Sequence, residues 1–115
     1  MAVIIYGIKN CDSVKKAKKY LDASGIGYTF HDYRSDGIDA SLVEGFIKAL
    51  GWENVLNKRG TTWRQLDDKT KEATNEKNVV ALLCEHPAMI KRPILKQNKT
   101  LTLGFSKDNY DKLFR

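Results

Sequence analysis

The residue in this chain best suited to covalent chemistry is Cys11, which stands between an apolar β-branched run and a helix-like run. A cysteine at a helix start lies beside backbone N–H groups without helical partners and at the positive end of the helix dipole. Both features favour a thiolate and an oxyanion bound beside it. Lys9, Lys15 and Lys16 add positive charge, whereas Asp12 opposes it. We predict that Cys11 is a nucleophile; the alternative is the small buried hydrophobe that a free cysteine often is.

The chain has the size of one domain. It contains 115 residues, of which 42% are hydrophobic, enough for one core. We expect no membrane span and no secretory signal. Cys11 and Cys84 are far apart in sequence, so they predict neither a disulfide framework nor a clustered metal site. Cys84 follows an apolar run and is expected to be buried and inert. Because free cysteines suit a reducing compartment, we expect a cytoplasmic protein.

The net charge of +6 is compatible with nucleic acid or with acidic small molecules as partners. The basic residues are mixed with acids, and the densest basic group lies on a helix whose apolar stripe is Val14, Ala17 and Leu21. A solvated helix face explains that pattern, and no helix-turn-helix, zinc-finger or RNA-reading motif is present. We therefore expect no nucleic-acid or membrane partner, and a monomer.

The elements around Cys11 follow from the apolar spacing. Residues 2–6 are predicted as a strand, residues 12–24 as a helix ending at Gly25, and residues 28–33 as a second strand. A strand–helix–strand unit of this length favours parallel strands with a right-handed crossover. After the middle of the chain, residues 94–96 and 101–103 are predicted as a hairpin with its tight turn at Asn98, and Ser106 as the cap of a terminal helix.

The middle of the chain is predicted as a helical insertion over about residues 38–88. Ser41 is expected to cap a helix over 42–50, which Gly51 ends. A helical turn over 52–56, a short helix from Thr61 or Thr62, and a helix over 76–85 that Pro87 stops are expected after it. Trp52 and Trp63 are interpreted as packing anchors of the insertion.

Four separated motifs resemble the ArsC/Spx family, and most of all its YffB-type reductases. They are residues 6–17 around Cys11, residues 30–33, residues 57–63 around Arg59, and residues 91–94 around Arg92. The resemblance covers nearly the whole chain. It implies an α/β, thioredoxin-like fold in one domain over residues 1–115. Its four-stranded mixed sheet would have the order βαβ, insertion, ββα.

The resemblance also implies the roles of the site residues. Cys11 matches the family's nucleophile, and Arg59 and Arg92 match the arginines that hold an oxyanion, for which guanidinium groups are well suited. The Arg92–Pro93 peptide is expected to be cis and opposite the cysteine. Substrate or glutathione is expected to be bound by Lys9, Asn10, Asp12, Arg59, Arg92 and Pro93.

Three departures from the family patterns shape the functional prediction. Val14 stands where a Cys-x-x-Cys motif would have its second cysteine, so an external thiol is needed to release an adduct from Cys11. Gly104 lies near the place of a third arginine in arsenate reductases, and Asp12-Ser13 differs from the run that follows their cysteine. We predict a thiol reductase that uses glutathione as co-substrate and has no bound cofactor or metal. The alternatives are an arsenate reductase, with glutaredoxin as a further partner, and a non-enzymatic Spx-like regulator that binds protein.

Overall fold

The computed structural model describes residues 3–9 and 11–114. It divides into two compact units: Met1–Asp36 with Arg92–Arg115, and Gly37–Lys91. The elements run along the chain as β1 (Val3–Gly7), α1 (Asp12–Ala23), β2 (Thr29–Asp32), α2 (Ala40–Leu50), α3 (Trp52–Val55), α4 (Thr61–Arg64), α5 (Asp68–Ala73), α6 (Val79–Glu85), a 3₁₀ turn (Pro87–Met89), β3 (Ile94–Gln97), β4 (Thr100–Leu103) and α7 (Lys107–Phe114).

The first unit contains a four-stranded mixed sheet in the order β2-β1-β3-β4. β1 is parallel to β2, with Ile5 opposite Phe30, and antiparallel to β3, with Tyr6 opposite Ile94. β3 and β4 form a hairpin whose turn residue, Asn98, has a φ of 57°. The predicted fold class, an α/β thioredoxin-like fold with a four-stranded mixed sheet, is confirmed.

One face of this sheet forms the core of the first unit. Val3 and Ile5 of β1 and Leu95 of β3 lie on that face, since strand residues two apart share a side. They pack with the apolar stripe of α1 (Val14, Ala17 and Leu21) and with Tyr110 of α7. Full burial of each large apolar side chain contributes about 1.5–3 kcal/mol. This packing fixes α1, whose first turn follows Cys11, against the end of β1.

The second unit is helical and contains a short antiparallel β-bridge between Leu56 and Ile90. The N–H of Asn57 donates to the carbonyl of Met89 at 2.8 Å, and the N–H of Lys91 donates to the carbonyl of Val55 at 2.8 Å. The buried apolar residues around the bridge form the core of this unit: Val43, Phe46, Ile47, Val55, Leu56, Trp63, Val79, Leu83, Met89 and Ile90.

The insertion differs from its prediction at three helix starts. The expected cap at Ser41 is wrong, because Asp39 accepts the N–H of Leu42 at 2.9 Å and α2 begins at Ala40. α5, which Asp67 caps through the N–H of Thr70 at 2.7 Å, was not predicted. α6 begins at Val79 rather than at residue 76, because side-chain hydrogen bonds between Asn75 and Asn78 form a turn before it. Among the described residues, none of the helices has the length and apolar character needed to cross a membrane.

Candidate active site

Cys11 occupies the N-cap position of α1. Its backbone is extended, with φ −124° and ψ 126°, and its carbonyl accepts the N–H of Lys15 at 3.0 Å, the first hydrogen bond of the helix. Its side chain makes no capping hydrogen bond and is half-buried against the core of the first unit. The thiol therefore lies at the positive end of the helix dipole while part of its surface stays open to reactants.

A close contact beneath the cysteine sets the position of α1. Gly7, the last residue of β1, is buried, and a Cβ added to it would lie 2.7 Å from Cγ2 of Val14. Only glycine lets the strand end approach the first turn of the helix this closely. Gly7 is thus a positioning residue, and its role was not predicted from the sequence.

The Arg92–Pro93 peptide is cis, as the family resemblance predicted. Pro93 is buried and directly precedes β3, whose first residue, Ile94, pairs with Tyr6 near the end of β1. The cis peptide and the turn that leads to Cys11 therefore lie at the same end of the sheet. The carbonyl of Pro93 accepts the N–H of Gly104 at 2.8 Å, and proline has no N–H. Pairing with the backbone of a bound peptide at this point would thus have to use Arg92.

Arg92 lies near a buried tyrosine. Tyr33 is 2% exposed, its N–H donates to the carbonyl of Gly7 at 3.0 Å, and its ring stacks on that of Tyr6 with centroids 6.4 Å apart. Burial raises the pKa of the Tyr33 hydroxyl, the Tyr6 hydroxyl raises it further, and the positive charge of Arg92 lowers it. The guanidinium of Arg92 therefore acts electrostatically on the hydroxyl of Tyr33. Neither tyrosine was given a role from the sequence.

The remaining residues predicted beside Cys11 are exposed or outside the described residues. Lys9 is exposed in the turn after β1, and Asp12 is the exposed first residue of α1. Asn10 lies outside the described residues. A carboxylate in the first turn is itself stabilised by the helix dipole, so Asp12 and a bound anion would compete for the same field. Asp12 would also repel a bound anion, and the positive charge of Lys9 would offset part of that repulsion.

Arg59 belongs to the second unit. It is exposed in the loop between α3 and α4, where its N–H donates to Oδ1 of Asn57 at 3.1 Å. Cys11, Arg92 and Pro93 lie together in the first unit. Of the described residues that the sequence predicts for the site, only Arg59 lies outside the first unit, on a loop of the second.

Cys84 is half-buried on α6, not buried as expected. Partial burial raises the pKa of its thiol, and the carboxylates of Asp39 and Glu44 raise it further because they repel a thiolate. Cys84 therefore remains a thiol to higher pH than an ordinary cysteine. This environment is the reverse of a helix N-terminus and makes Cys84 the poorer nucleophile of the two. No cluster of three or more His, Cys, Asp and Glu side chains suited to a metal ion occurs in residues 3–9 and 11–114.

The chain is similar to known proteins over nearly its whole length. Residues 6–113 match the ArsC family. An uncharacterised protein of Haemophilus influenzae is 41% identical over 112 residues, which cover 97% of this chain and 98% of that protein. A solved structure named as a YFFB protein superposes with a TM-score of 0.95 at 38% identity, covering 99% and 100% of the two chains. That of an arsenate reductase (ArsC) related protein from Brucella melitensis gives 0.80 at 42% identity, covering 100% and 96%.

A more distant likeness is to a regulator. The global transcriptional regulator Spx 2 of Bacillus anthracis is 28% identical over 113 residues, which cover 96% of this chain and 85% of that protein. Proteins similar to this chain thus include both reductase-related proteins and a transcriptional regulator.

Proposed function

Because the chain belongs to the ArsC family, we propose that it is a glutathione-dependent thiol reductase in which Cys11 is the nucleophile. The observation that carries the proposal is the half-buried thiol of Cys11 at the N-cap of α1, at the end of the sheet where the cis Arg92–Pro93 peptide begins β3. The N-terminus of a helix attracts anions through its N–H groups and its dipole, and the half-buried side chain leaves the sulfur accessible. The pKa of the other cysteine, Cys84, is raised, so its thiol form is favoured. We therefore assign the nucleophilic role to Cys11 alone.

The reaction we propose is two successive thiol–disulfide exchanges. The Cys11 thiolate attacks the glutathione sulfur of a mixed disulfide, forms an S–S bond to it and releases the substrate as a thiolate, which takes up a proton. A glutathione thiolate then attacks the sulfur of that adduct, releasing the Cys11 thiolate and glutathione disulfide. In sum, one mixed disulfide and one glutathione give one thiol and one glutathione disulfide. No bound cofactor is needed, but the protein must work where glutathione is plentiful, as in a reducing cytoplasm.

The other site residues bind and orient. Arg92, at the start of β3, is proposed to hold a carboxylate of glutathione or an oxyanion substrate, since its guanidinium can form two parallel hydrogen bonds to such a group. Pro93, the residue that follows it, is buried. Lys9 is proposed to favour the thiolate by its charge. The role proposed for Arg59, a second cation for the same anion, rests on the family resemblance.

A coupled assay tests the proposal. Turnover of the mixed disulfide of glutathione and a small thiol is followed with glutathione as reductant and glutathione reductase as the coupling enzyme. We expect Cys11→Ser to fall to the uncatalysed rate and Cys84→Ser, the matched control, to keep full activity. Arg92→Ala should raise KM more than it lowers kcat, whereas Arg92→Lys should recover part of the loss. Undiminished turnover by Cys11→Ser would overturn the mechanism.

Two other functions are supported by particular observations. The likeness to the Brucella melitensis protein, which is related to arsenate reductase, supports arsenate as a substrate. Gly104 argues against arsenate, because it lies near the place of the third arginine of arsenate reductases and has no charged side chain. Its N–H donates to the carbonyl of Pro93. The likeness to Spx 2 supports a protein-binding regulator. Arsenate-dependent oxidation of glutathione would favour an arsenate reductase. A correctly folded Cys11→Ser protein that keeps its full regulatory effect in the cell would favour a protein-binding regulator.

A further inference from the structure

We propose that a pocket at the C-terminal ends of α1 and α7, in the first compact unit, binds a small organic ammonium ion. The pocket, here called the helix-end pocket, has a volume of about 330 Å³, which is enough for a small ligand. It is lined by Tyr20, Ala23, Ser24, Ile26 and Phe114. Filling it requires no thiol chemistry, and none of these residues has a role in the proposed reaction. The binding function is therefore separate from the function of Cys11.

Two helices end at the helix-end pocket. Ala23 is the last residue of α1 and Phe114 is the last residue of α7, and both line the pocket. The C-terminus of a helix is equivalent to a charge of roughly −0.5. The last turn of α7 contains Lys112, but the last turn of α1 contains no basic residue. None of the described residues that line the pocket is charged, so the helix ends set its field, which favours a cation.

The end of α1 leaves one carbonyl group of the pocket without a hydrogen bond. The last four carbonyls of a helix have no partner within the helix. The N–H groups of residues 24, 25 and 26 donate to three of the four in α1, at 3.0, 3.2 and 2.9 Å. The fourth carbonyl, that of Ala23, accepts no hydrogen bond from the described residues. Such an oxygen carries part of the negative charge of the helix end, which an ammonium group can neutralise.

A buried ring holds the two aromatic rings that line the pocket. The ring centroid of Tyr110 lies 5.5 Å from that of Tyr20 and 6.1 Å from that of Phe114, with both pairs edge to face. Tyr110 has no exposed surface, so it fixes both rings from the core. A cation over the face of an aromatic ring is attracted by the ring quadrupole, and alkyl groups on the cation add apolar contact.

The hydroxyl of Tyr20 is bound to a carboxylate. It donates to Oδ1 of Asp111 at 2.5 Å, and Nζ of Lys107 donates to Oδ2 of the same carboxylate at 3.0 Å. A hydrogen bond to a charged acceptor is stronger than one between neutral groups, and it polarises the donor. The Tyr20 ring is therefore held in place and made richer in electrons, which strengthens its attraction for a cation.

The chemistry of the lining selects the class of ligand. An anion would meet the negative ends of two helices. Calcium or magnesium would need carboxylate ligands, which the described lining residues do not supply. An organic ammonium ion matches both parts of the lining, because its charge suits the helix ends and its alkyl groups suit the rings and Ile26.

A titration followed by NMR tests the helix-end pocket in the full-length ¹⁵N-labelled protein. The probes are choline and dimethylbutanol, the uncharged alcohol in which a carbon atom replaces the nitrogen of choline. Phe114→Leu removes a ring and Phe114→Tyr keeps it. The matched control is Phe105→Leu, since the Phe105 ring also lies against that of Tyr110, at 4.8 Å, but does not line the pocket. Ala23→Lys brings a tethered ammonium to the pocket, and Ala23→Met is its uncharged control.

We expect choline to shift the amides of residues 20–26 and 113–114 saturably and to bind roughly 2- to 30-fold more tightly than the alcohol. Phe114→Leu and Ala23→Lys should weaken choline binding by about two- to tenfold, whereas Phe114→Tyr, Phe105→Leu and Ala23→Met should change it by less than about twofold. Cys11→Ser should bind choline as the wild type does, whatever the outcome of the reductase assay.

Three results would overturn the proposal: no saturable shifts, equal affinity for choline and the alcohol, or equal weakening by Phe105→Leu and Phe114→Leu. Ala23 is exposed, so the comparison of Ala23→Lys with Ala23→Met remains decisive if the loss of a ring unfolds the protein. Choline binding that Ala23→Lys leaves unchanged would place the ligand elsewhere and refute the assignment.

Discussion

Alanine at Gly7 would disturb the packing that sets the start of α1. The new Cβ would lie 2.7 Å from Cγ2 of Val14, whereas carbon atoms in favourable contact are about 3.5–4.0 Å apart. One of the two must therefore move by roughly 1 Å. Val14 has no exposed surface and cannot turn outward, so the shift must be taken up by the first turn of α1. We expect Gly7→Ala to lower the free energy of unfolding by about 1–3 kcal/mol.

Urea unfolding measures this loss, and the rate at which iodoacetamide alkylates Cys11 in native conditions measures its local consequence. The rate should change, because the N-cap moves with the first turn. Gly45→Ala is the matched control: it lies inside α2 with nothing within 4 Å of the added Cβ, so it should raise stability by about 0.5–1 kcal/mol. A Gly7→Ala protein with the stability and alkylation rate of the wild type would show that the contact between residue 7 and Val14 does not set the start of α1.

Other expected effects concern a buried hydroxyl, a helix cap and the second thiol. The Tyr110 hydroxyl is buried without a hydrogen-bond partner among the described residues, so Tyr110→Phe should leave stability in urea unchanged or raise it by about 1 kcal/mol; a loss of that size would contradict this. Asp39→Ala removes the cap on the Leu42 N–H and should cost about 1 kcal/mol, most of which Asp39→Asn should recover. Because the pKa of Cys84 is raised above its ordinary 9.0, its contribution to stability should be constant below about pH 9 and fall as pH rises through the pKa of the folded state. The free energy of unfolding, measured in urea, should therefore depend on pH differently in wild type and in Cys84→Ala only above about pH 9. The same pH dependence in both proteins would show that Cys84 ionises in the folded state as it does in the unfolded chain.

The sheet and the elements around Cys11 were predictable because their signals are local. Glycine favours positive φ, and Gly25 ends α1 with a φ of 68°. Asn98 takes the positive φ of the hairpin turn. The β-branched apolar run of β1 indicates a buried strand, and the spacing of Val14, Ala17 and Leu21 indicates which face of α1 is buried. The cis peptide before Pro93 came only from the family resemblance, because no local pattern distinguishes it from a trans peptide at a strand start.

The helices of the insertion were harder to predict. Asp39 and Ser41 are both good caps two residues apart, and the sequence does not rank them. α5 has no buried residue, so apolar periodicity gives no sign of it. The helix expected from residue 76 begins later because side-chain bonding between Asn75 and Asn78 competes with helical bonding.

The sequence could name candidate site residues one by one, but not the contacts between them. Cys11 and Arg92 could be selected by their types and motifs. The effect of Arg92 on Tyr33 depends on the order β2-β1-β3, in which the end of β2 and the start of β3 lie at the same end of the sheet, on either side of β1. The demand for glycine at residue 7 depends on how closely α1 packs on β1. Both are consequences of tertiary packing rather than of local sequence.

The proposed reaction requires that Cys11 alone carries a glutathione adduct, which glutathione itself removes. Trapping with acid after brief exposure to a glutathione mixed disulfide, followed by mass spectrometry of the intact protein and its peptides, tests it directly. We predict one glutathione per chain, located on the peptide that contains Cys11 and absent from that of Cys84, which disappears when excess glutathione is added before trapping. An adduct found only on Cys84, or one on Cys11 that glutathione does not release, would contradict the proposed reaction.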